Sequence, residues 1–247
     1  MRAGLRLVWT TLTVLPLPAG RVDRSAGRTA MVLAPLVGAG LGVVAAGALA
    51  GFTAFGVSPL LASVLTIGTV VLGTRGMHQD GLADTADGLG CGGPPDRALA
   101  VMRASDVGPF GVATLVLVLL GQVAALADLA GAHRWLATGL GLAVGRLAIT
   151  WACRRGVPAA RPDGLGVLVA GSVPLPACLA LTGVLTAAGW WAVPGRPAQG
   201  MAAVLVSVAT VVLFTAHVRR RLGGVTGDTL GAACEVAVLV GYTILAG

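Results

Sequence analysis

Seven stretches of nearly unbroken apolar residues, at about 31–52, 57–74, 109–130, 135–153, 175–193, 199–217 and 230–246, frame this 247-residue chain. Each approaches the roughly 17–25 residues a helix needs to cross a bilayer. Polar positions collect between them. Residues 75–108 carry Arg75, Arg97 and Arg103 with five aspartates, residues 154–174 carry Arg154, Arg155 and Arg161, and residues 218–229 carry Arg219, Arg220 and Arg221. The alternate joints, 53–56, 131–134 and 194–198, are short, and their only arginines are Arg134 and Arg196. Glycines recur inside the spans, as in Val37-Gly38-Ala39-Gly40-Leu41-Gly42 and Gly139-Leu140-Gly141, where small residues let helices approach closely in lipid. No strand precedes them, so they are not dinucleotide-binding loops. The pattern predicts an all-α, polytopic integral membrane bundle of about seven transmembrane helices, forming one domain over residues 1–247. The apolar piece from Leu7 to Leu17 is short and ends at Pro16 and Pro18. It lacks a good small-residue cleavage pattern and reads as an interfacial or re-entrant segment.

Composition agrees. The chain is 56% hydrophobic and only 11% charged, against about 25% in soluble domains. All of its basic residues are arginine, and Glu235 is its one glutamate. The N-terminal segment, with Arg2, Arg6, Arg21, Arg24 and Arg28, and the three long loops together hold 14 arginines. The alternate joints hold 2, and Arg146 lies inside the fourth span. The positive-inside rule then places the N-terminus and the three long loops in the cytoplasm and the C-terminus outside. The net charge of +7 comes without a basic run interleaved with aromatics, which argues against nucleic acid. Anionic lipid and anionic substrates suit the arginines better. Cys91, Cys153, Cys178 and Cys234 show no metal or redox spacing; the last three read as small buried hydrophobes.

Chemistry concentrates in Met77-His78-Gln79-Asp80-Gly81-Leu82-Ala83-Asp84-Thr85-Ala86-Asp87-Gly88. On a helix, Asp80, Asp84 and Asp87 fall at i, i+4 and i+7 and share a side. Like charges so spaced destabilise a bare helix by a few tenths of a kcal/mol per pair. A hard divalent cation reverses that sign, because carboxylate oxygen is what Mg²⁺ selects. The plain alternative is a solvated polar helix with Asp80 as its cap. His78 faces away from the carboxylates if the helix is continuous through it.

Three further polar clusters fall on the same side of the membrane. Arg103-Ala104-Ser105-Asp106 precedes Pro109, with Ser105 or Asp106 as a candidate cap for the third span. Arg146, costly within a span, calls for a polar cavity or a carboxylate and is followed by Arg161 in the next loop. Arg221-Leu222-Gly223-Gly224-Val225-Thr226-Gly227-Asp228 suits close backbone approach to phosphate, although Thr226 or Asp228 would also simply cap the last helix. Glu235, about one turn into the last span, is a candidate partner for Arg146.

Read together, His-x-Asp-Gly-Leu-Ala-Asp-Thr-Ala-Asp-Gly at 78–88, Met-Arg-x-x-x-x-Gly-x-x-Gly at 102–111, Ala160-Arg161 with Gly164-Leu165-Gly166, and Leu-Gly-Gly-x-Thr-Gly-Asp at 222–228 resemble the cobalamin synthase family, the adenosylcobinamide-GDP ribazoletransferases. Leu15-Pro16-Leu17-Pro18 and Ala34-Pro35-Leu36-Val37-Gly38 resemble the family's opening. The resemblance implies a Mg²⁺-dependent phosphotransferase of the bacterial inner membrane with its active site facing the cytoplasm. It would transfer the cobinamide-phosphate of adenosylcobinamide-GDP to α-ribazole or α-ribazole 5′-phosphate, releasing GMP. Adenosylcobalamin or its 5′-phosphate would form. Asp80, Asp84 and Asp87 would hold metal, with His78 beside them. By their chemistry Arg103, Ser105, Arg146, Arg161, Arg221, Thr226, Asp228 and Glu235 are assigned to substrate contact, and the general base is His78 or one of the aspartates. The chain departs from the family's Lys/Arg-Asp-Ser-Arg at Arg103-Ala104-Ser105-Asp106, where the acid is displaced. A homo-oligomer is compatible with all of this. The rival readings are a CDP-alcohol phosphotransferase, whose Asp-Gly-x-x-Ala-Arg signature is absent, and a transporter, which would show two related halves.

Overall fold

The computed structural model describes residues 2–18 and 22–247, which leaves Arg21 of the N-terminal arginine group outside the described residues. The described chain is helical, with no strand among the described residues beyond isolated bridges at Arg154–Val173 and Ala159–Val225. In order, the helices are α1 (Arg2–Leu12), α2 (Arg24–Ala54), α3 (Pro59–Gly73), α4 (Met77–Gly90), α5 (Pro95–Val101), α6 (Pro109–Gly131), α7 (Trp135–Ala152), α8 (Leu165–Val169), α9 (Leu175–Gly189), α10 (Pro197–Leu222) and α11 (Gly227–Ala246).

Every expected span coincides with a helix. Five of them, α2, α6, α7, α10 and α11, are long and apolar enough to cross a membrane alone. The other two are shorter than expected. α3 and α9 have 15 residues each, about 22 Å of rise against a hydrocarbon core of about 30 Å. α3 stops because Arg75 and Gly76 both take left-handed backbone, at φ 58° and 64°. The chain then turns by 91° into α4. Arg75 anchors that turn by donating to the Thr10 carbonyl of α1 at 2.8 Å. α4 therefore does not prolong the crossing of α3; it lies across the polar end of the bundle.

α7 is the centre of the bundle, with nearly all of its residues buried. Glycine makes that possible, since lipid offers no hydrophobic drive and close packing must supply the cohesion. A Cβ on Gly42 would stand 2.5 Å from the Gly139 carbonyl oxygen, so α2 and α7 meet backbone to backbone. The outer face is apolar: Phe55, Leu72, Val43, Leu213 and Leu117 are each at least 70% exposed, as suits a surface turned to hydrocarbon. α1 lies on α2 with Val8 and Leu12 buried.

All the polar loops gather at one end of the bundle. α2, α6, α9 and α11 begin there, and α3, α7 and α10 end there. Local chemistry fixes these ends. Asp23 caps α2 through Ala26 N–H, and Thr226 and Thr229 form a reciprocal capping box on α11. Arg219, Arg220 and Arg221 sit in the last turn of α10, where cations oppose the helix dipole, and Gly223 closes it in left-handed conformation. Neither Ser105 nor Asp106 caps α6, contrary to expectation. Its N-cap is Gly108, and the carboxylate comes from elsewhere in the chain.

Candidate active site

α4 carries the aspartates and is held on two sides. Its Gly81 lies against the start of α11, where a Cβ would come within 2.6 Å of the Asp228 carbonyl oxygen. Its far end meets α6. There the Asp87 carboxylate accepts from Gly108 N–H at 2.7 Å through Oδ2 and from Gly111 N–H at 2.9 Å through Oδ1. Both donors are orphan amides of the first turn of α6, and a buried anion there also answers the helix dipole. Gly108 and Gly111 leave the space this needs, since a Cβ on either would fall within about 2.5 Å of an Asp87 oxygen.

Asp80 is exposed and Asp84 half-buried, and neither has a cation at ion-pair distance among the described residues. Partial burial, then the charges of Asp80, Asp228 and Asp87, raise the Asp84 carboxyl to about 6, with Arg161 opposing. α11 thus adds Asp228 to the acidic field of α4. Asp228 meets Arg161 Nη1 at 3.5 Å and accepts from the Thr226 hydroxyl at 3.2 Å.

The loops beside this field are stitched together by backbone. Ala160 N–H donates to Val225 O and Val225 N–H to Pro158 O, each at 2.9 Å. This brings Arg161 next to Asp228, and Arg161 Nη2 also reaches the Leu99 carbonyl of α5 at 2.9 Å. Between the loops lies a cavity of about 380 Å³ lined by Arg103, Arg161, Gly164, Thr226 and Asp228, among others. At its rim Arg103 pairs with Asp163 in a fork, at 2.7 and 2.9 Å. Asp163 escaped the sequence reading, although its place between Arg161 and Gly164 could have drawn notice. Ser105 is exposed, and Arg221 is half-buried in the last turn of α10.

A second polar group lies deeper. α4 is helical from Met77, so His78 turns away from the carboxylates and is buried, beside a small cavity lined by Met31, Ile149 and Leu230. Burial, then the charge of Arg146, hold its pKa well below 6.5, so the ring is neutral. Its ligand atoms lie within 4.8 Å of those of Cys234 and Glu235. Arg146 is 1% exposed, and its three guanidinium nitrogens have no hydrogen-bond partner among the described residues. It makes no ion pair with Glu235 within 4.0 Å; Glu235 instead accepts from Gln122 Nε2 at 2.9 Å. Arg146 therefore does not snorkel to an interface, and Gln122 is a partner that sequence spacing did not suggest.

The expected residues thus fall into two places. Asp80, Asp84, Asp228, Arg161, Arg103 and Thr226 surround the open end of the bundle. His78, Arg146 and Glu235 form a buried layer beneath it, and Asp87 ties α4 to α6 at the border. Asp80 and Asp84, hard oxygen donors without a cation partner among the described residues, fit a divalent cation of the Mg²⁺ type. The three α4 carboxylates do not all lie within 4.8 Å of one another, so an ion would gather Asp80 and Asp84 by side-chain rotation while Asp87 stays on its cap.

A polytopic helical bundle with carboxylates, arginines and glycine turns gathered at one end belongs to the class of integral membrane enzymes that handle phosphorylated substrates. The chain matches the family described as cobalamin-5-phosphate synthase over residues 4–246, and it belongs to that family. It is 43% identical over 239 residues to the adenosylcobinamide-GDP ribazoletransferase of a Nocardioides species, covering 96% of each chain. To that of Frankia casuarinae it is 40% identical over 267 residues, covering all of this chain and 95% of the relative. To that of Rhizobium johnstonii it is 35% identical, covering 92% and 91%. No solved structure matches the chain.

Proposed function

We propose that the chain acts as an adenosylcobinamide-GDP ribazoletransferase at the cytoplasmic face of the bacterial inner membrane. It joins α-ribazole or its 5′-phosphate to the cobinamide-phosphate of adenosylcobinamide-GDP and releases GMP. The observation that carries this reading is the family match from residue 4 to 246, with relatives of that name covered nearly end to end. The site supports it, because phosphoryl transfer asks for positioning and for stabilisation of charge on phosphate oxygens.

Asp80, Asp84 and Asp87 would hold Mg²⁺, joined by Asp228. Asp87 takes part through the lone pairs its cap to α6 leaves free, about two of four. Bound there, Mg²⁺ would neutralise charge on the diphosphate and lower the barrier to departure of GMP. Arg161, half-buried and held by Leu99 O, presents a fixed cation to the same oxygens. The turn at Gly164 and the segment Val225-Thr226-Gly227 bring backbone to the 380 Å³ cavity. A ribose hydroxyl of ribazole attacks the cobinamide-side phosphorus in line with the leaving GMP. Its proton passes to a carboxylate of the cluster. That choice over His78 is supported by the 2% exposure of the imidazole.

The test is GMP release by the purified protein given both substrates. We expect release to need both substrates and Mg²⁺, to stop with EDTA, and to match corrinoid product one to one. Release from adenosylcobinamide-GDP without ribazole, or full turnover in EDTA, would overturn the assignment.

A further inference from the structure

We propose that a cleft between the N-terminal turns of α2 and α9 binds the phosphate headgroup of an anionic phospholipid, whose acyl chains descend the groove between those helices. The cleft encloses about 780 Å³ and lies beyond α8 from the aspartate cavity. Arg24 and Arg28 enter it from α2 and Arg155 from the turn after α7, and none of the residues lining it is acidic. Nearby, Asp23 is engaged in capping α2 and in accepting from Ser25. The aspartate cavity differs, since its rim matches Arg103 with Asp163 and Arg161 with Asp228.

The cleft is built by long-range contacts. Arg155 N–H donates to Val173 O at 2.8 Å and Val173 N–H to Cys153 O at 3.1 Å, which sets Arg155 beside Ser172. Arg24 Nη2 donates to Ala170 O at 3.0 Å. The Ser172 hydroxyl, 7% exposed and lining the cleft, has no hydrogen-bond partner among the described residues. A phosphate oxygen would give that buried donor an acceptor, and charge-assisted bonds from the arginines would complete the shell.

Below the arginines the same stripe of α2 turns apolar. Positions 28, 32, 36, 39 and 43 follow the helical repeat, so Arg28 leads through Val32 and Leu36 to Ala39 and Val43. Val32 and Ala177 line the floor of the cleft. Further down, Leu36 and Val43 are 57% and 74% exposed, so the stripe is open to acyl chains. From Val32 to Val43 the helix rises about 16 Å, close to the ~15 Å depth of one hydrocarbon leaflet. A soluble phosphate would satisfy the head and leave this groove uncovered; a lipid fills both. Basic pockets between helix ends are where anionic headgroups bind.

Native mass spectrometry of the delipidated protein in detergent, titrated with phosphatidylglycerol, phosphatidylcholine or glycerol 3-phosphate, tests this. We expect phosphatidylglycerol to bind at least tenfold more tightly than phosphatidylcholine, and glycerol 3-phosphate to compete weakly. Each of Arg24→Gln, Arg28→Gln and Arg155→Gln should weaken phosphatidylglycerol about fivefold, the equivalent of the ~1 kcal/mol a basic residue contributes near an anionic surface. The three substitutions combined should abolish the preference. Arg97→Gln/Arg220→Gln, exposed cations outside the cleft, should keep it. Equal loss in that control variant would reduce the effect to diffuse surface charge and overturn the site. Glycerol 3-phosphate binding as tightly as phosphatidylglycerol would identify a free-phosphate site instead, and an unaltered triple variant would refute the cleft.

Discussion

Asp87→Asn separates structure from chemistry within the acidic helix. Both carboxylate oxygens of Asp87 accept backbone N–H, one from Gly108 and one from Gly111, and the residue is 7% exposed. Asparagine keeps one acceptor and turns an NH₂ toward the other donor. One amide of α6 is then buried without a partner, at a cost of about 1–3 kcal/mol. Loss of the charge at the helix start adds about 0.3–2 kcal/mol. The variant should therefore lose about 2–4 kcal/mol of stability with no metal present. Asp80→Asn, whose side chain is exposed, should stay within about 0.5 kcal/mol of the parent. The assay is equilibrium unfolding in mixed micelles with EDTA, run on the parent and both variants. If Asp87→Asn unfolds with the parent in EDTA and differs only when Mg²⁺ is added, Asp87 is a metal ligand alone and the cap contributes nothing.

Asp84 gives a pH dependence. Its folded carboxyl is raised from 3.8 to about 6, so its contribution to stability is full below pH 4 and is lost as pH rises through 6. Metal-free protein should become less stable across that window, Asp84→Asn should flatten the loss, and Mg²⁺ should stabilise the parent most above pH 6; the same slope in both proteins would sink the idea. Gly81→Ala places a Cβ 2.6 Å from the Asp228 carbonyl and should cost about 1–3 kcal/mol despite alanine's better helix propensity, with a larger loss of GMP release; a more stable, fully active variant would show that α4 and α11 separate freely. Arg146→Met should destabilise by leaving Glu235 without its neighbouring cation, and adding Glu235→Gln should recover at least about 1 kcal/mol in a double-mutant cycle. Additive losses would mean that the two charges do not sense each other. On a cysteine-free background, Ala104→Cys should react with an impermeant thiol reagent only after permeabilisation and Phe55→Cys without it; the reverse pattern would invert the topology.

Much of the architecture is local and therefore legible in the chain. An apolar run of about twenty residues can satisfy its backbone in lipid only as a helix, so the seven helix positions follow from hydropathy. The capping box at Thr226 is likewise a short-range signal, and so is the shared side of Asp80 and Asp84. Span length was less readable. α3 ends at a left-handed Arg75, a conformation that an arginine adopts only where the surroundings impose it.

The roles within the polar end were not legible in the same way. Asp80, Asp84 and Asp87 have equivalent sequence contexts, yet Asp87 alone is bound to amides 21 and 24 residues away. Arg103 meets Asp163 across 60 residues, Arg161 meets Asp228 across 67, and Glu235 meets Gln122 across 113. Periodicity states which side of its own helix a residue takes, and composition states that a buried charge needs a partner. Which partner it finds depends on how the helices pack, and that is decided by the glycine contacts of α7 and α4 with their neighbours, where one methyl group would move an entire helix.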